Sequence, residues 1–448
     1  MSERSNTAYL DGLRGWAAVL VYWHHHELWA HSSAINIFER AYGYRGHFHT
    51  VALPGVRLLF NGGHYATATF FIISGYVLAH RPLDLIEKGR TDQLVEHLSS
   101  AVFRRWIRLY LPLLITTFLY MTSWHVFDLH IRWTQPQACY LAELRTWFSE
   151  VMDFAFPFTR VGSPWLSYND HLWSIPVELK GSWLSYTVFL ALCRSSRPTR
   201  LSCQAVLIIY FMYVVHDGWY LSFFAAGMLL REIELWHVSR LPSTYNPASD
   251  RTTWRWWWFL VVLLSIYLGG VPHCANSVCI RNNPGWSALS ILTPPLDLAY
   301  DPKWHYLLPA SALVVIAVPH IPWVRRAFEA PLSLYLGRIS YSLYLVHGPV
   351  MRIAADTIYS AVGWPQRGAG VVHRSLEPIV NIISLPSWGP LGMEVGFLVP
   401  QILLLIPVTF GLAHMVTWAV DQPSMKFARW LYRWSLVVER DRGMGKRE

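Results

Sequence analysis

The sequence predicts an all-α fold: a polytopic membrane helical bundle of about ten transmembrane helices with both termini in the cytosol. Three observations lead there. The 448 residues are 53% hydrophobic and only 15% charged, with 24 tryptophans and a mean hydropathy of +0.26. Apolar runs approaching the roughly 20 residues that a bilayer requires recur along the chain. The arginines between those runs fall in loops on one side. A charged fraction so far below the ~25% of soluble domains leaves too little polar surface for a water-soluble chain, and it excludes disordered and coiled-coil classes as well. Five cysteines are too few and too scattered for a disulfide scaffold or a zinc ribbon; only Cys274 and Cys279 stand close enough to suggest a pair.

The first apolar run, 10–29, holds Asp11, Arg14 and three consecutive histidines. That composition does not suit the h-region of a cleavable signal, so the run is expected to insert as an uncleaved helix. Runs 64–79 and 109–127 are the second and third spans. The segment 128–170 is the longest non-cytosolic loop, and 148–158 within it is apolar enough to lie in the interface as a short helix. Run 172–192 is the fourth span. Runs 205–215 and 219–230 are short and separated by His216, Asp217 and Gly218, so they read either as two tilted spans or as one re-entrant pair. Runs 254–271, 306–318 (also short), 332–351 and 395–418 complete the ten. Segments 269–302 and 363–392 are Pro- and Gly-rich loops too short to be domains. No internal repeat is visible. The expected division is a transmembrane domain over 1–425 and a basic cytosolic tail over 426–448.

The net charge of +9 sorts with this topology. Arg81, Lys88, Arg90, Arg104, Arg105 and Arg108 share one loop, and Arg194, Arg197 and Arg200 the next. Arg231, Arg240, Arg251 and Arg255 share a third, Arg325 and Arg326 a fourth, and seven further bases lie in the tail. With ten spans all of these face one side, which the positive-inside rule makes the cytosol. The basic surplus therefore marks orientation, and no arginine cluster with interleaved aromatics suggests a nucleic-acid surface.

Ionisable groups inside apolar spans are costly and usually functional. Arg14 and His25 are eleven residues apart, close to a whole number of helical turns and about 16 Å of rise, so they share a face. Ala17, Ala18 and Val21 between them leave a smooth strip along which an extended ligand could lie. Consecutive residues of a helix point about 100° apart, so His24, His25 and His26 do not converge on one ion; no metal is expected, and His24 and His26 read as helix-end groups bonding neighbouring helices. His171, Ser174 and Glu178 share a face at the start of the fourth span, where Pro176 is expected to disturb the helix. Glu178 reads equally as half of a structural ion pair with Lys180 or as a catalytic or orienting group. Ser340, Tyr344 and His347 share a face of the ninth span, where packing alone accounts for the first two as well. Ser74 and Gly75 form a small-residue notch suited to close helix approach.

Several of these segments occur in an order that resembles the acyltransferase 3 family of multispanning membrane acyltransferases. Leu10-Asp-Gly-Leu-Arg-Gly15 with His25 is similar to the family's opening signature, an arginine and, eleven residues on, the essential histidine. Phe70-Phe-Ile-Ile-Ser-Gly-Tyr-Val-Leu78 resembles its second-helix Ser-Gly motif, and Phe103-Arg-Arg-Trp-Ile-Arg-Leu-Tyr-Leu-Pro112 its basic segment before the third helix. Trp173-Ser-Ile-Pro-Val-Glu178 and Ser340-Tyr-Ser-Leu-Tyr-Leu-Val-His347 resemble its Trp-Ser-x-x-x-Glu and late Ser-Tyr elements. Val420-Asp-Gln-Pro423 resembles the closing acidic-x-Pro motif, with Asp421 where Glu is commoner.

The resemblance implies transfer of an acyl group, typically acetyl from acetyl-CoA, to a hydroxyl. The tryptophan content and the lack of an appended sugar-directed domain resemble the fungal secondary-metabolite branch, whose acceptors are small lipophilic alcohols such as terpenoids or polyketides. A hydroxyl attacking a thioester needs a base that titrates near neutrality, which assigns His25 as general base. Arg14 is suited to a CoA phosphate or pantetheine oxygen, with Asp11 orienting it, and Arg104, Arg105 and Arg108 to the CoA diphosphate. Glu178 is assigned to orienting His25 or the acceptor, and Ser74, Ser174, Tyr344 and His347 to the acceptor cavity. The expected partners are the bilayer, acyl-CoA as co-substrate and the hydroxylated acceptor. No bound cofactor and no nucleic acid are expected, and the location is an endomembrane such as the endoplasmic reticulum. The rival readings are acylation of a membrane lipid or polysaccharide, and a transporter using the intramembrane Arg, His and Glu as a path.

Overall fold

The structure is a computed structural model that describes residues 7–30, 40–127, 136–156, 158, 165–240, 253–274, 276–293, 301–363, 380–386 and 395–436. Among these the chain is all-α, and a helix carries the greater part of each of the ten apolar runs. The long helices are α1 (Ala8–Ala30), α2 (Gly63–Glu87), α3 (Thr91–Phe127), α4 (Tyr140–Ala155), α5 (Ser174–Leu192) and α6 (Arg197–Tyr213). They continue with α7 (Trp219–Arg240), α8 (Thr253–Gly269), α9 (Lys303–Ala317), α10 (Pro331–Val350) and α11 (Val395–Ser435). By length and apolarity together, α11 alone among the described residues is suited to cross a membrane, and Lys303–His320 with Pro322–Phe328 passes only as a pair bent by 104°.

Local chemistry explains where these helices begin and end. Pro176 lies in the first turn of α5, where a backbone N–H has no intrahelical partner to lose, so it starts the helix instead of disturbing it. The two short runs around His216 are separate helices packed side by side, joined by a turn in which Asp217 takes φ of 57°. α3 is 37 residues long, roughly 55 Å at 1.5 Å per residue, so the basic segment before run 109–127 is its continuous first half and not a loop. The expected interfacial helix at 148–158 is instead α4, which starts eight residues earlier at Tyr140 and ends at Ala155. α11 runs unbroken across the expected boundary at 425/426, with Ser424 and Ala428 both buried; residues 437–448 of the expected tail lie outside the described residues. Cys274 and Cys279 are joined as a disulfide.

The helix that organises the bundle is α1, which packs on α10 and α2 and contributes to four separate hydrophobic clusters. Its contact with α10 is made backbone to backbone. A Cβ on Gly15 would lie 2.4 Å from the Gly337 nitrogen, and one on Gly337 only 2.2 Å from the Asp11 carbonyl oxygen. Two helices this close must stay in register, and ten residues beyond each of Gly15 and Gly337 stands a histidine, His25 and His347. The α2–α7 contact is built similarly: a Cβ on Gly75 would meet the Phe224 carbonyl oxygen at 2.2 Å, and one on Gly227 the Ile72 carbonyl oxygen at 2.2 Å. Gly75 thus serves helix approach, while its neighbour Ser74 is free to turn toward α5.

Candidate active site

The parallel register of α1 and α10 brings His25 Nδ1 to 2.9 Å from His347 Nε2, with the two rings stacked at 11°. A third imidazole, His171, comes from the turn before α5; its ring centroid lies 4.3 Å from that of His25 and 5.0 Å from that of His347. His347 is buried, at 1% exposure, whereas His25 keeps some access. The position of His171 is secured from behind. Its Nδ1 is 3.0 Å from Asp170 Oδ1, and the Arg352 guanidinium donates to that same carboxylate oxygen. Burial works against the Asp170 charge, but His171 and Arg352 more than offset it and hold the carboxyl at about 2, so it stays ionised. Ser174 Oγ donates to Tyr344 Oη (2.8 Å), which donates to the His171 backbone carbonyl. Asn169 Nδ2 donates to the Leu345 carbonyl (3.0 Å), so three contacts sew this turn to α10.

These three histidines have ligand atoms within 4.8 Å of one another, a spacing that could hold a metal ion. The 2.9 Å between His25 and His347 is, however, shorter than the ~3.4 Å edge of a tetrahedral site with ~2.1 Å bonds, and it matches a shared proton. His24 and His26 are both buried within α1, which continues to Ala30, so they do not cap its end. His24 packs on His64 (5.2 Å between centroids) and His26 on Tyr22 (4.4 Å).

The strip between Arg14 and His25 is not an open track. Ala17 and Val21 are 4% and 5% exposed and pack on Ala66, with Phe70 and Tyr344 over them. At the far end of α1, Arg14 lies 3.9 Å from Asp11, both in contact with solvent. Nearby, a cavity of about 450 Å³ opens between α2, α3 and Tyr186, lined by Arg81, Arg104, Arg105 and Arg108 together with His80 and His97. Arg108 lies in the field of Arg105 and Arg14, opposed by Asp421 and Glu178. Four guanidiniums around one cavity repel one another, and a polyanion seated there would relieve that repulsion.

Glu178 belongs to this end of the molecule. The Arg105 guanidinium and Ser74 Oγ (2.7 Å) both donate to Glu178 Oε1, and Arg105 Nε donates to Ser182 Oγ (2.8 Å). Its ionic partner is therefore Arg105 and not the adjacent Lys180, because two residues on along a helix point away from each other. Among the described residues no hydrogen bond joins Glu178 to His25. The structure thus brings together Arg14, Arg104, Arg105, Arg108, Glu178 and Ser74 at one end, and His25, His347, Tyr344 and Ser174 at the other. His171 had a visible signal, its place on one face with Ser174 and Glu178, but no role; Asp170, Arg352 and Asn169 had none beyond polarity.

The chain matches the acyltransferase 3 family, described as an acyltransferase domain, over residues 7–413. It is 27% identical to the O-acetyltransferase PaAT-1 of Phomopsis amygdali, over 98% of this chain and 87% of that protein. It is 22% identical to acyltransferase R4 of a Phoma species, over 97% of both chains, and 22% identical to acyltransferase clz18 of Cochliobolus lunatus, over 83% and 87%. No solved structure matches it. With nearly the whole chain covered by one family and every motif that resembled it carried on a helix or on the turn that leads into one, this protein belongs to the acyltransferase 3 family and is an O-acyltransferase.

Proposed function

We propose that this enzyme moves an acetyl group from acetyl-CoA to a hydroxyl of a small lipophilic metabolite such as a terpenoid or polyketide, with His25 as general base. Its ten apolar helices span an endomembrane such as the endoplasmic reticulum, the arginine-rich segments and both termini facing the cytosol. The observation that carries this reading is the pairing of two sites along α1. A basic cavity with Arg104, Arg105 and Arg108 lies toward its start, where Arg14 stands, and a partly accessible imidazole held by a second imidazole lies toward its end. The cavity suits the diphosphate of CoA, with Arg14 on a donor oxygen and Asp11 orienting Arg14. Arg105 is tied to Glu178, whose carboxylate Ser74 also holds, so those two carry their part by fixing Arg105.

At the other end His25 takes the proton of the acceptor hydroxyl as its oxygen attacks the thioester carbonyl. The C–S bond then breaks, and the proton passes from His25 to the leaving thiolate, so the site ends as it began. Ser174 and Tyr344 shape the acceptor side by holding the His171 turn. The name of PaAT-1 supports acetyl as the group transferred, and all three named relatives are fungal acyltransferases.

The test incubates membranes containing the protein with labelled acetyl-CoA and a panel of hydroxylated terpenoids and polyketides, and then weighs the products. An acceptor heavier by one acetyl group, lost in His25→Ala protein that still folds in detergent, is the expected result. Label found only in membrane lipid or polysaccharide would move the acceptor to that class, and full turnover by His25→Ala would remove the base assignment.

A further inference from the structure

We infer that His347 is a positioning residue that fixes the tautomer of His25, so that His25 Nε2 is the atom that takes the acceptor's proton. The inference rests on the proposed role of His25 as base. His347 Nδ1 lies 2.9 Å from the Tyr344 carbonyl oxygen and 3.2 Å from that of Leu343. A carbonyl only accepts, so Nδ1 of His347 carries the hydrogen. His347 is 1% exposed, and among the described residues no carboxylate bonds to it; a buried imidazolium without a counter-charge would be costly, so the ring is neutral and its Nε2 is a bare lone pair. That lone pair faces His25 Nδ1 at 2.9 Å. Two lone pairs at that distance repel, so His25 Nδ1 bears the hydrogen and donates it, and the lone pair of His25 sits on Nε2.

The order of the pieces is that of an oriented base: a backbone carbonyl sets His347, His347 sets His25, and His25 meets the substrate. When the acceptor O–H proton moves to His25 Nε2, the Nδ1–H stays on the ring and its bond to His347 becomes charge-assisted and stronger. When the C–S bond breaks, the same Nε2 proton goes to the thiolate. No proton leaves through His347, which keeps its own hydrogen on Nδ1 throughout. The close approach of Gly15 to Gly337, ten residues below both rings, keeps the donor and acceptor in register.

The test compares His347→Gln with His347→Asn. The glutamine oxygen reaches the place of Nε2 and can accept from His25, whereas the asparagine amide can serve only the place of Nδ1 and its backbone carbonyls. Tautomer control predicts that Gln keeps kcat within about tenfold of wild type while Asn lowers it on the order of 10²–10³-fold, with the acetyl-CoA KM unchanged in both. A role limited to securing the backbone of α10 predicts the reverse order and would overturn the inference, as would equal losses in two variants that melt at the wild-type temperature.

Carbethoxylation of His25, followed by mass spectrometry, reads the same contrast without turnover, because the reagent needs the bare nitrogen. The rate should hold in Gln and fall in Asn, whereas equal rates would refute the assignment even if the wild type acetylates nothing offered to it. Wild-type failure to transfer acetyl under any condition would strike the proposed function alone. Loss of turnover on dialysis against EDTA, restored by zinc, would overturn the inference too, since a metal would then occupy the lone pairs.

Discussion

Gly337→Ala should uncouple the two histidines without touching either. The added Cβ would stand 2.2 Å from the Asp11 carbonyl oxygen, and ordinary contact begins at 3.4 Å, so α1 and α10 must part by about 1.2 Å. The clash is with backbone, so no side chain can swing away to absorb it. Transmitted ten residues along two straight helices, that shift takes the 2.9 Å His25–His347 contact to roughly 4 Å, past the limit of a hydrogen bond. A misplacement of about 1 Å in a catalytic group costs on the order of 10²-fold in rate. Stability moves less. Overpacking costs about 1–3 kcal/mol, offset by about 1 kcal/mol from the better helix propensity of alanine, for a net loss of about 0–2 kcal/mol. Turnover of labelled acetyl-CoA and thermal unfolding in detergent measure the two effects separately. Gly411→Ala is the control, because a Cβ there meets nothing within 4 Å. If Gly337→Ala turned over as fast as Gly411→Ala, the claim that glycine contacts hold the site in register would fail.

Two further outcomes follow from the basic end of the molecule. Arg105 and Glu178 are 11% and 19% exposed in their side chains, so removing either leaves the other charge largely buried. Glu178→Gln and Arg105→Met should each destabilise the protein by about 2–3 kcal/mol, with the double variant losing at least ~1 kcal/mol less than the sum; additive melting shifts would show that the pair does not act as a unit. Arg14→Ala should raise the acetyl-CoA KM about tenfold with kcat little changed, and a lower kcat at constant KM would instead put Arg14 in the chemical step.

Helix positions were legible because a single periodicity decides them. An apolar run near bilayer length admits few alternatives, and each of the ten became helical. Boundaries were less legible where polar chemistry continues a helix beyond its apolar part: nothing in a hydropathy pattern says that the charged stretch from Thr91 joins α3, or that α4 begins at Tyr140. Of the site, Arg14 and His25 were visible because a charged or titratable group inside an apolar helix is rare enough to demand a use. His347 was visible as a polar group but its role was not, since a donor–acceptor pair 322 residues apart leaves no local trace.

By itself, then, the sequence determined what is set by neighbours along the chain: the all-α class, the helical runs and the direction in which each side chain leaves its own helix. The tertiary structure alone decided which faces meet. It gave Glu178 to Arg105 instead of Lys180 or His25, covered the alanine strip with Phe70 and Tyr344, and added His171 to the two aligned histidines. The reason is physical. Periodicity fixes the direction of a side chain about its own helix, but partners on different helices depend on crossing points, and here glycines such as Gly15 and Gly337 set those crossings by leaving no room for a Cβ between the backbones.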